Sequence, residues 1–143
     1  MTSQLNVDTI VDKAGSGGTN VKVANTSTYV SDGGAVTQNI VQAIVKAWAN
    51  FDESGTPSIR DNFNVSSLTD NGTGYFTVTL TNTMSNDDYV RIGSAGENQN
   101  AGGNRVLGLR VPSAGSFNII TKNTSGNDSD TQDTCIAVLG DLA

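Results

Sequence analysis

The sequence contains no histidine, and Cys135 is its only cysteine. Without histidine, a Ser-His-Asp triad, a Cys-His pair and most zinc sites are excluded. A single cysteine forms no disulfide within the chain, and the apolar run "TCIAVLG" around it indicates a buried, unreactive thiol. These absences argue against a hydrolytic enzyme, and we expect no catalytic residue and no cofactor.

Charged residues are also scarce, at 15% of the chain. The eight Lys and Arg residues are scattered, and the formal net charge is −6. A chain without a basic cluster is not expected to bind nucleic acid through its phosphates. No apolar run approaches the length of a transmembrane helix, and the start "MTSQLNVDTIVDKAG" lacks the basic and apolar regions of a signal peptide. We therefore expect synthesis in the cytoplasm and no membrane insertion.

Gly, Ser, Thr and Asn are abundant instead, and together they make up 63 of the 143 residues. These residue types favour turns and strands with solvated faces over long helices. Hydrophobic residues amount to 36%, but they are grouped and periodic, which is typical of a folded chain rather than a disordered one. The length allows one small domain preceded by a short segment.

Residues 1–31 are predicted to form a short β segment. Apolar and polar residues alternate at 5–11 and again at 19–30, on either side of a Gly-rich turn at 14–18. Two strands of this size are not stable alone in water. They must therefore pack on the rest of the chain or on other copies of it.

Residues 32–52 carry the only long helical pattern, with an apolar arc wider than the stripe of a surface helix. Such a helix must be covered on more than one side. Other copies of the chain around a symmetry axis would supply the second contact. A central helix wrapped by its own sheet is the alternative. The residues predicted to contact other copies are Val36, Ile40, Ile44, Ala47, Trp48 and Phe51.

Residues 53–143 are predicted to form an antiparallel β-sandwich, because after 53–57 the apolar period changes from about 3.6 to 2. Asn71-Gly72 predicts a hairpin turn, since both residues tolerate positive φ. The predicted fold is thus mainly β, with short N-terminal strands, one apolar helix and then the sandwich. Its predicted strands are 58–68, 75–81, 88–95, 105–111, 116–121 and 133–141, with Phe76, Val78, Leu80, Phe117 and Ile119 inward.

The run "AWANFDESGTPSIRDNFNVSSLTDNGTGYFTV" (47–78) resembles a module in tail fibre proteins of marine and cyanobacterial tailed phages. In those proteins, a helix ending in Ala-Trp-x-Asn-Phe leads into a strand ending in Asn-Val-Ser-Ser and a turn Thr-Asp-Asn-Gly-Thr-Gly. The close "SFNIIT…DT…AVLGD" is similar to the last two strands of that family, and "LNVDTIVDKAGSGG" is similar to the start of such fibres. The matching positions are Ala47, Trp48, Asn50, Phe51, Asn64–Ser67, Thr69–Gly74 and Asp88–Val90.

The resemblance implies a noncatalytic structural protein of the virion, a short tail fibre that is attached near its N-terminus and takes part in host attachment. It also implies an intertwined homotrimer with helix 32–52 at its axis, so that the residues predicted to contact other copies would form the trimer interface. Its partners would be other virion proteins and a glycan or protein of the host surface. The long shaft of many such fibres is nearly absent here, so a capsid fibre or decoration protein is the alternative. A monomeric carbohydrate-binding module is a third hypothesis.

The polar loops at 96–104 and 122–130 are candidates for receptor contact, together with Tyr75 and Tyr89 nearby in the sequence. Polar loops on a rigid sandwich often carry recognition, although every sandwich has such loops. The candidate contact residues are Asn98, Asn100, Asn104, Asn123 and Asn127.

Carboxylates provide two further candidates. Asp128, Asp130 and Asp133 supply oxygen ligands at a spacing that could hold calcium, but the full EF-hand pattern is missing and a solvated loop is the other interpretation. A glycan hydrolase would need a pair of facing carboxylates. The adjacent Asp87 and Asp88 would point to opposite faces of a strand, and Glu53 and Glu97 qualify by residue type alone, so we predict no enzyme.

Overall fold

The computed structural model describes residues 28–30, 37–96 and 105–143, and almost all of its regular structure is β. The contacts divide the chain into two units, Met1–Val41 and Gln42–Ala143. The described elements are β1 (Thr28–Val30), β2 (Thr37–Asn39), the one-turn helix α1 (Ile40–Ala43), β3 (Val45–Asp52), β4 (Ser58–Phe63), β5 (Val65–Asp70), β6 (Tyr75–Leu80), β7 (Val90–Gly96), β8 (Arg105–Ser113), β9 (Ser116–Asn123) and β10 (Asp133–Leu139).

In the first unit, β1 and β2 pair as a two-stranded antiparallel sheet, with Tyr29 opposite Gln38. The strand predicted at 5–11 and the greater part of the one at 19–30 lie outside the described residues. No helix in the ranges that the structure describes is long and apolar enough to cross a bilayer.

The second unit is a sandwich of two four-stranded antiparallel sheets, as the sequence predicts. The first sheet has the strand order β4-β3-β10-β7, and the second has the order β5-β6-β9-β8. Side chains from the inner faces of both sheets form one apolar core, which is the arrangement that stabilises a sandwich. The buried apolar residues are Ala47, Ala49, Phe51, Val65, Phe76, Val78, Leu80, Met84, Tyr89, Phe117, Ile119, Ile136 and Val138.

The helix predicted over 32–52 is wrong at 37–39 and at 45–52, which form strands β2 and β3. One helical turn is present at α1, and residues 32–36 lie outside the described residues. Ala47, Ala49 and Phe51 point into the core, while Trp48 and Asn50 point outward, so the true period is 2. The outward face of this strand is itself partly apolar, which made the pattern look like a wide helical arc. The sandwich therefore includes β3, ahead of the predicted boundary at residue 53.

Asn64 divides the single strand predicted at 58–68 into β4 and β5, which belong to different sheets. Its φ of 59° is left-handed, a conformation that asparagine tolerates better than most residues. The side chain fixes this crossing point, since Nδ2 donates to the Lys46 carbonyl at 3.0 Å and Oδ1 accepts from the Asn82 amide at 2.7 Å.

The other strands of the sandwich were predicted correctly in position. In β6 and β9 the predicted inward residues are all buried, and β10 is a central strand between β3 and β7, as its apolar residues on both faces indicate. The turn at Asn71-Gly72 is also confirmed. Its amide and carbonyl contacts join Asn71 and Gly72 to Tyr75, and Gly72 has a φ of 127°.

Glu53 is a buried carboxylate at the end of β3, only 1% exposed, and three threonines surround it. Oε1 accepts from the hydroxyls of Thr134 and Thr121 at 2.8 and 3.0 Å, and Oε2 accepts from the Thr131 amide at 3.1 Å. Burial raises the pKa of Glu53 above its usual 4.5, although these hydrogen bonds oppose the rise. Through these hydrogen bonds the residue joins the end of β3 to β9 and β10.

We expect the Glu53→Gln variant to lose the pH dependence that Glu53 gives to folding. Because the pKa is raised in the folded state, the contribution of Glu53 is fully present below pH 4.5 and is lost as the pH rises through the folded-state pKa. Glutamine can keep the same partners, since threonine hydroxyls also accept. Urea unfolding of both proteins between pH 4 and 8 gives the difference in free energy. A difference that does not change with pH would contradict this prediction.

Candidate functional site

The outer face of the second sheet carries a tyrosine within a set of polar side chains. Because Phe76 and Val78 of β6 point into the core, the alternation of the strand places Tyr75 and Thr77 on the outside. Across the sheet, Tyr75 pairs with Ile120 and Thr77 pairs with Asn118 of β9. Paired residues share a face, so these four side chains lie together.

Hydrogen bonds hold this group in a fixed arrangement. Asn71 Nδ2 donates to Thr77 Oγ1 at 2.8 Å, and Thr77 Oγ1 donates to Asn118 Oδ1 at 2.9 Å. Asn118 Nδ2 then donates to the Tyr75 hydroxyl at 2.9 Å. The Tyr75 oxygen is thus an acceptor within the chain of bonds, and its own proton remains available to another molecule.

A cleft of about 380 Å³ opens beside Tyr75 and is lined by Tyr75, Arg110, Asn118, Ile120 and Asp128. The size is within the range of roughly 300–1,000 Å³ that small-molecule sites occupy. Asp128 forms an ion pair with Lys122, so its charge is compensated. Arg110 is exposed and forms no ion pair with any other residue that the structure describes. The cleft therefore offers the Tyr75 ring, the Asn118 amide and the uncompensated positive charge of Arg110.

The outer face of the first sheet is different, since one end of it is apolar. Cross-strand pairing aligns Phe63, Trp48, Ala137 and Ile92 in one row across all four strands. A second row aligns Val45, Leu139 and Val90. Five of these side chains are well exposed: Trp48 by 38%, Val45 by 39%, Ile92 by 53%, Phe63 by 54% and Val90 by 57%.

The opposite end of the same face is polar and charged. Arg60 contacts Asp52 at 2.9 Å and Asp133 at 3.3 Å, and Asn50 Nδ2 donates to Asp133 at 2.6 Å. Asn50 Nδ2 also donates to the Cys135 sulfur at 3.1 Å. Cys135 is only partly buried, so the prediction of a buried thiol was wrong. An apolar area with a polar rim is typical of a surface that packs against another protein.

The predicted trimer-interface residues do not share one surface. Ala47 and Phe51 lie in the core of the sandwich, at 0% and 1% exposure, so they are not available to another chain. Ile40, Ile44 and Trp48 are exposed. Val36 is outside the described residues. The trimer itself stays a prediction.

The three aspartates considered for calcium are used separately. Asp128 pairs with Lys122, Asp130 accepts from the Gly74 amide at 2.6 Å, and Asp133 contacts Arg60. Within the ranges that the structure describes, no three acidic or cysteine side chains are grouped as metal ligands.

The candidate contact loops are only partly described. Asn98, Asn100 and Asn104 lie outside the described residues, as does Glu97. Asn123 shapes its own loop, because its Oδ1 accepts from the amides of Ser125 and Asn127 at 3.0 and 3.1 Å. Asn127 is exposed.

Of the remaining candidates, Tyr89 is a core residue rather than a surface one. Its hydroxyl donates to the Ser113 carbonyl at 2.9 Å, and its ring packs edge-on against Phe117 with 6.3 Å between the centroids. Burial raises the pKa of Tyr89. Asp87 and Asp88 are exposed in the segment between β6 and β7.

Sequence reasoning missed Arg110, Asn118 and Ile120 as neighbours of Tyr75, and Phe63, Val90 and Ile92 as an exposed apolar group. The outward positions were readable from the period-2 pattern, as for Tyr75. Which strands are adjacent depends on pairing between distant segments, which the pattern does not reveal. Comparisons with family models, with curated proteins and with solved structures find no match for this chain.

Proposed function

We propose that this chain is a noncatalytic structural protein of a phage virion, a short tail fibre that takes part in host attachment. Two lines of reasoning support the proposal. The first is the long motif from Ala47 to Val78, which resembles a module of phage tail fibres. The second is the apolar outer face of the first sheet, which suits a protein that functions as an assembly.

The apolar row across β4, β3, β10 and β7 is the observation that carries this proposal. Large side chains such as Phe63, Trp48 and Ile92 are exposed together, and contiguous apolar area of this kind is uncommon on a monomer. A second copy of the same chain presents the same row, and closed symmetry brings identical patches into one assembly. The homotrimer of the proposal would therefore be held through this face, in place of the helix that the sequence first indicated.

The cleft beside Tyr75 favours a second candidate, a monomeric carbohydrate-binding module. An exposed aromatic ring with nearby amide groups is suited to a sugar, which presents apolar C–H faces and many hydroxyls. The two candidates differ in assembly, because a binding module functions as a single chain. A capsid fibre or decoration protein would share the assembly of a tail fibre and differ in its location on the particle.

The native mass in dilute solution tests the proposal. Light scattering after size exclusion is expected to give three times the 14.8 kDa of one chain. Immunogold labelling of the virion would then distinguish tail from capsid. A mass of 14.8 kDa would count against the fibre and would favour the monomeric module.

A further inference from the structure

We infer that the cleft beside Tyr75 is a binding site for a hexuronate unit of an acidic polysaccharide. The inference deepens the attachment part of the proposed function, and only the role of the saccharide as a host surface rests on that proposal. The site would use three groups. Tyr75 supplies the ring, Asn118 supplies a directed amide, and Arg110 supplies the positive charge.

The aromatic and amide groups account for recognition of a sugar ring. Tyr75 is 38% exposed, so one part of its ring is held by the sheet and another part is free to contact the C–H groups of a saccharide. Asn118 is bound on both sides, to Thr77 and to Tyr75, so its amide orientation is fixed before a ligand arrives. Preorganised polar groups lose little conformational entropy on binding, which raises affinity.

The charge pattern selects an acidic sugar over a neutral one. Asp128 in the cleft wall is paired with Lys122, so the net charge of that pair is near zero. Arg110 lies opposite on β8, next to Asn118 by strand pairing, and has no ion-pair partner in the described ranges. A guanidinium binds a carboxylate through two parallel hydrogen bonds, a geometry that a uronate carboxylate fits.

The net negative charge of the protein opposes the binding of an acidic polysaccharide. With a net charge of −6, the chain as a whole repels a polyanion. Binding of an acidic saccharide would therefore have to come from a local positive group rather than from general attraction. Arg110 is the group in the cleft that can supply it.

The test is an NMR titration of the protein with tetragalacturonate, and with its methyl ester as a neutral ligand of the same skeleton. Oligomers of mannuronate and glucuronate complete the panel. We expect saturable shifts around Tyr75 and Asn118, with the acid binding roughly tenfold or more tightly than the ester, as for one charge-assisted pair. Absence of saturable binding to all three acids at ~10 mM, well above the ~1 mM dissociation constant of a weak site, would overturn the inference.

Variants separate the contribution of the Arg110 charge from that of the Tyr75 ring. Arg110→Gln is expected to abolish the preference for the acid, whereas Arg60→Gln, which removes an exposed guanidinium from the other sheet, should leave it unchanged. Tyr75→Ala should weaken the binding of both the acid and the ester roughly tenfold. Tyr75→Phe should retain most of the affinity, because the ring remains. Unchanged binding in Arg110→Gln or in a folded Tyr75→Ala variant would contradict the inference.

Failure of the binding inference and failure of the proposed fibre give different results, because one is measured by saccharide binding and the other by native mass. A monomer that binds uronate at this cleft would support the inference and contradict the fibre. A trimer that binds none of the acids would support the fibre and contradict the inference.

Discussion

Replacing Gly74 by alanine is expected to destabilise the sandwich by about 2–5 kcal/mol. Gly74 has a φ of 62°, and a residue with a side chain in this left-handed conformation costs about 1–2 kcal/mol. An added Cβ would also lie 2.4 Å from the Thr121 carbonyl oxygen and 2.7 Å from the Ser129 amide nitrogen. Both are backbone atoms, so neither can rotate away, and overpacking of this kind costs about 1–3 kcal/mol more.

The Gly74 backbone is also bound on both sides. Its amide donates to Asp130 at 2.6 Å, and its carbonyl accepts from the Thr121 amide at 2.8 Å. Any shift that relieves the clash would therefore weaken these bonds and move Tyr75, the next residue. We expect the Gly74→Ala protein to show a lower urea midpoint and, where it remains folded, a disturbed cleft.

Gly55 provides the matched control. Its φ of 65° is nearly the same, but a Cβ built there meets nothing within 4 Å. Gly55→Ala should therefore lower the free energy of unfolding only through the left-handed backbone conformation, by about 1–2 kcal/mol. Equal losses of stability in the two variants would show that the close backbone contact at Gly74 does not matter.

The second large effect concerns assembly. Ile92→Asp is expected to reduce the native mass from that of a multimer to the 14.8 kDa of one chain. Ile92 is 53% exposed and lies at the β7 end of the apolar row, beside Ala137. A carboxylate buried against apolar side chains of another copy would be desolvated without a partner, which costs several kcal/mol.

Val106→Asp is the matched control for Ile92→Asp. Val106 is equally exposed, at 58%, and also lies in a strand, but it belongs to the second sheet. It should leave the native mass unchanged. Since both side chains are exposed, neither substitution should alter the stability of a single chain by more than about 0.5 kcal/mol. A multimer that survives Ile92→Asp would exclude this face from the interface.

The sequence predicted the strands whose two faces differ clearly in polarity. In β6, Phe76 and Val78 alternate with Thr77 and Tyr75, and only a strand separates such residues into two faces. The same reasoning failed for β3. There Trp48 is apolar and exposed, so both faces of the strand are partly apolar and the alternation is hidden. A pattern that is apolar on every side indicates burial or contact, but it does not determine the period.

The site was less predictable than the fold. The outward position of Tyr75 follows from its strand, yet its partners come from β8 and β9, more than 30 residues away. Their register is set by the packing of the whole core, which no local pattern encodes. The burial of Tyr89 and Glu53 was unpredictable for the same reason. Whether an aromatic or acidic residue between strands is exposed or buried depends on contacts with segments far along the chain.

The pairing of β3 with β10 has a mechanical consequence. Val45 and Leu139 are directly opposite, so the start of β3 and the end of β10 lie at the same end of the sandwich. Tension applied between these two residues would act along the hydrogen bonds of the β3–β10 ladder, which lie perpendicular to the strands. These bonds would therefore break one at a time, starting at the Val45–Leu139 end. The cleft lies toward the other end, where Gly74 meets Ser129 and Asp130 ahead of β10. A load passing from residue 45 to a ligand at Tyr75 would instead have to cross from the first sheet to the second, since β3 and β6 belong to different sheets. The packed apolar core between the sheets would then carry part of that load.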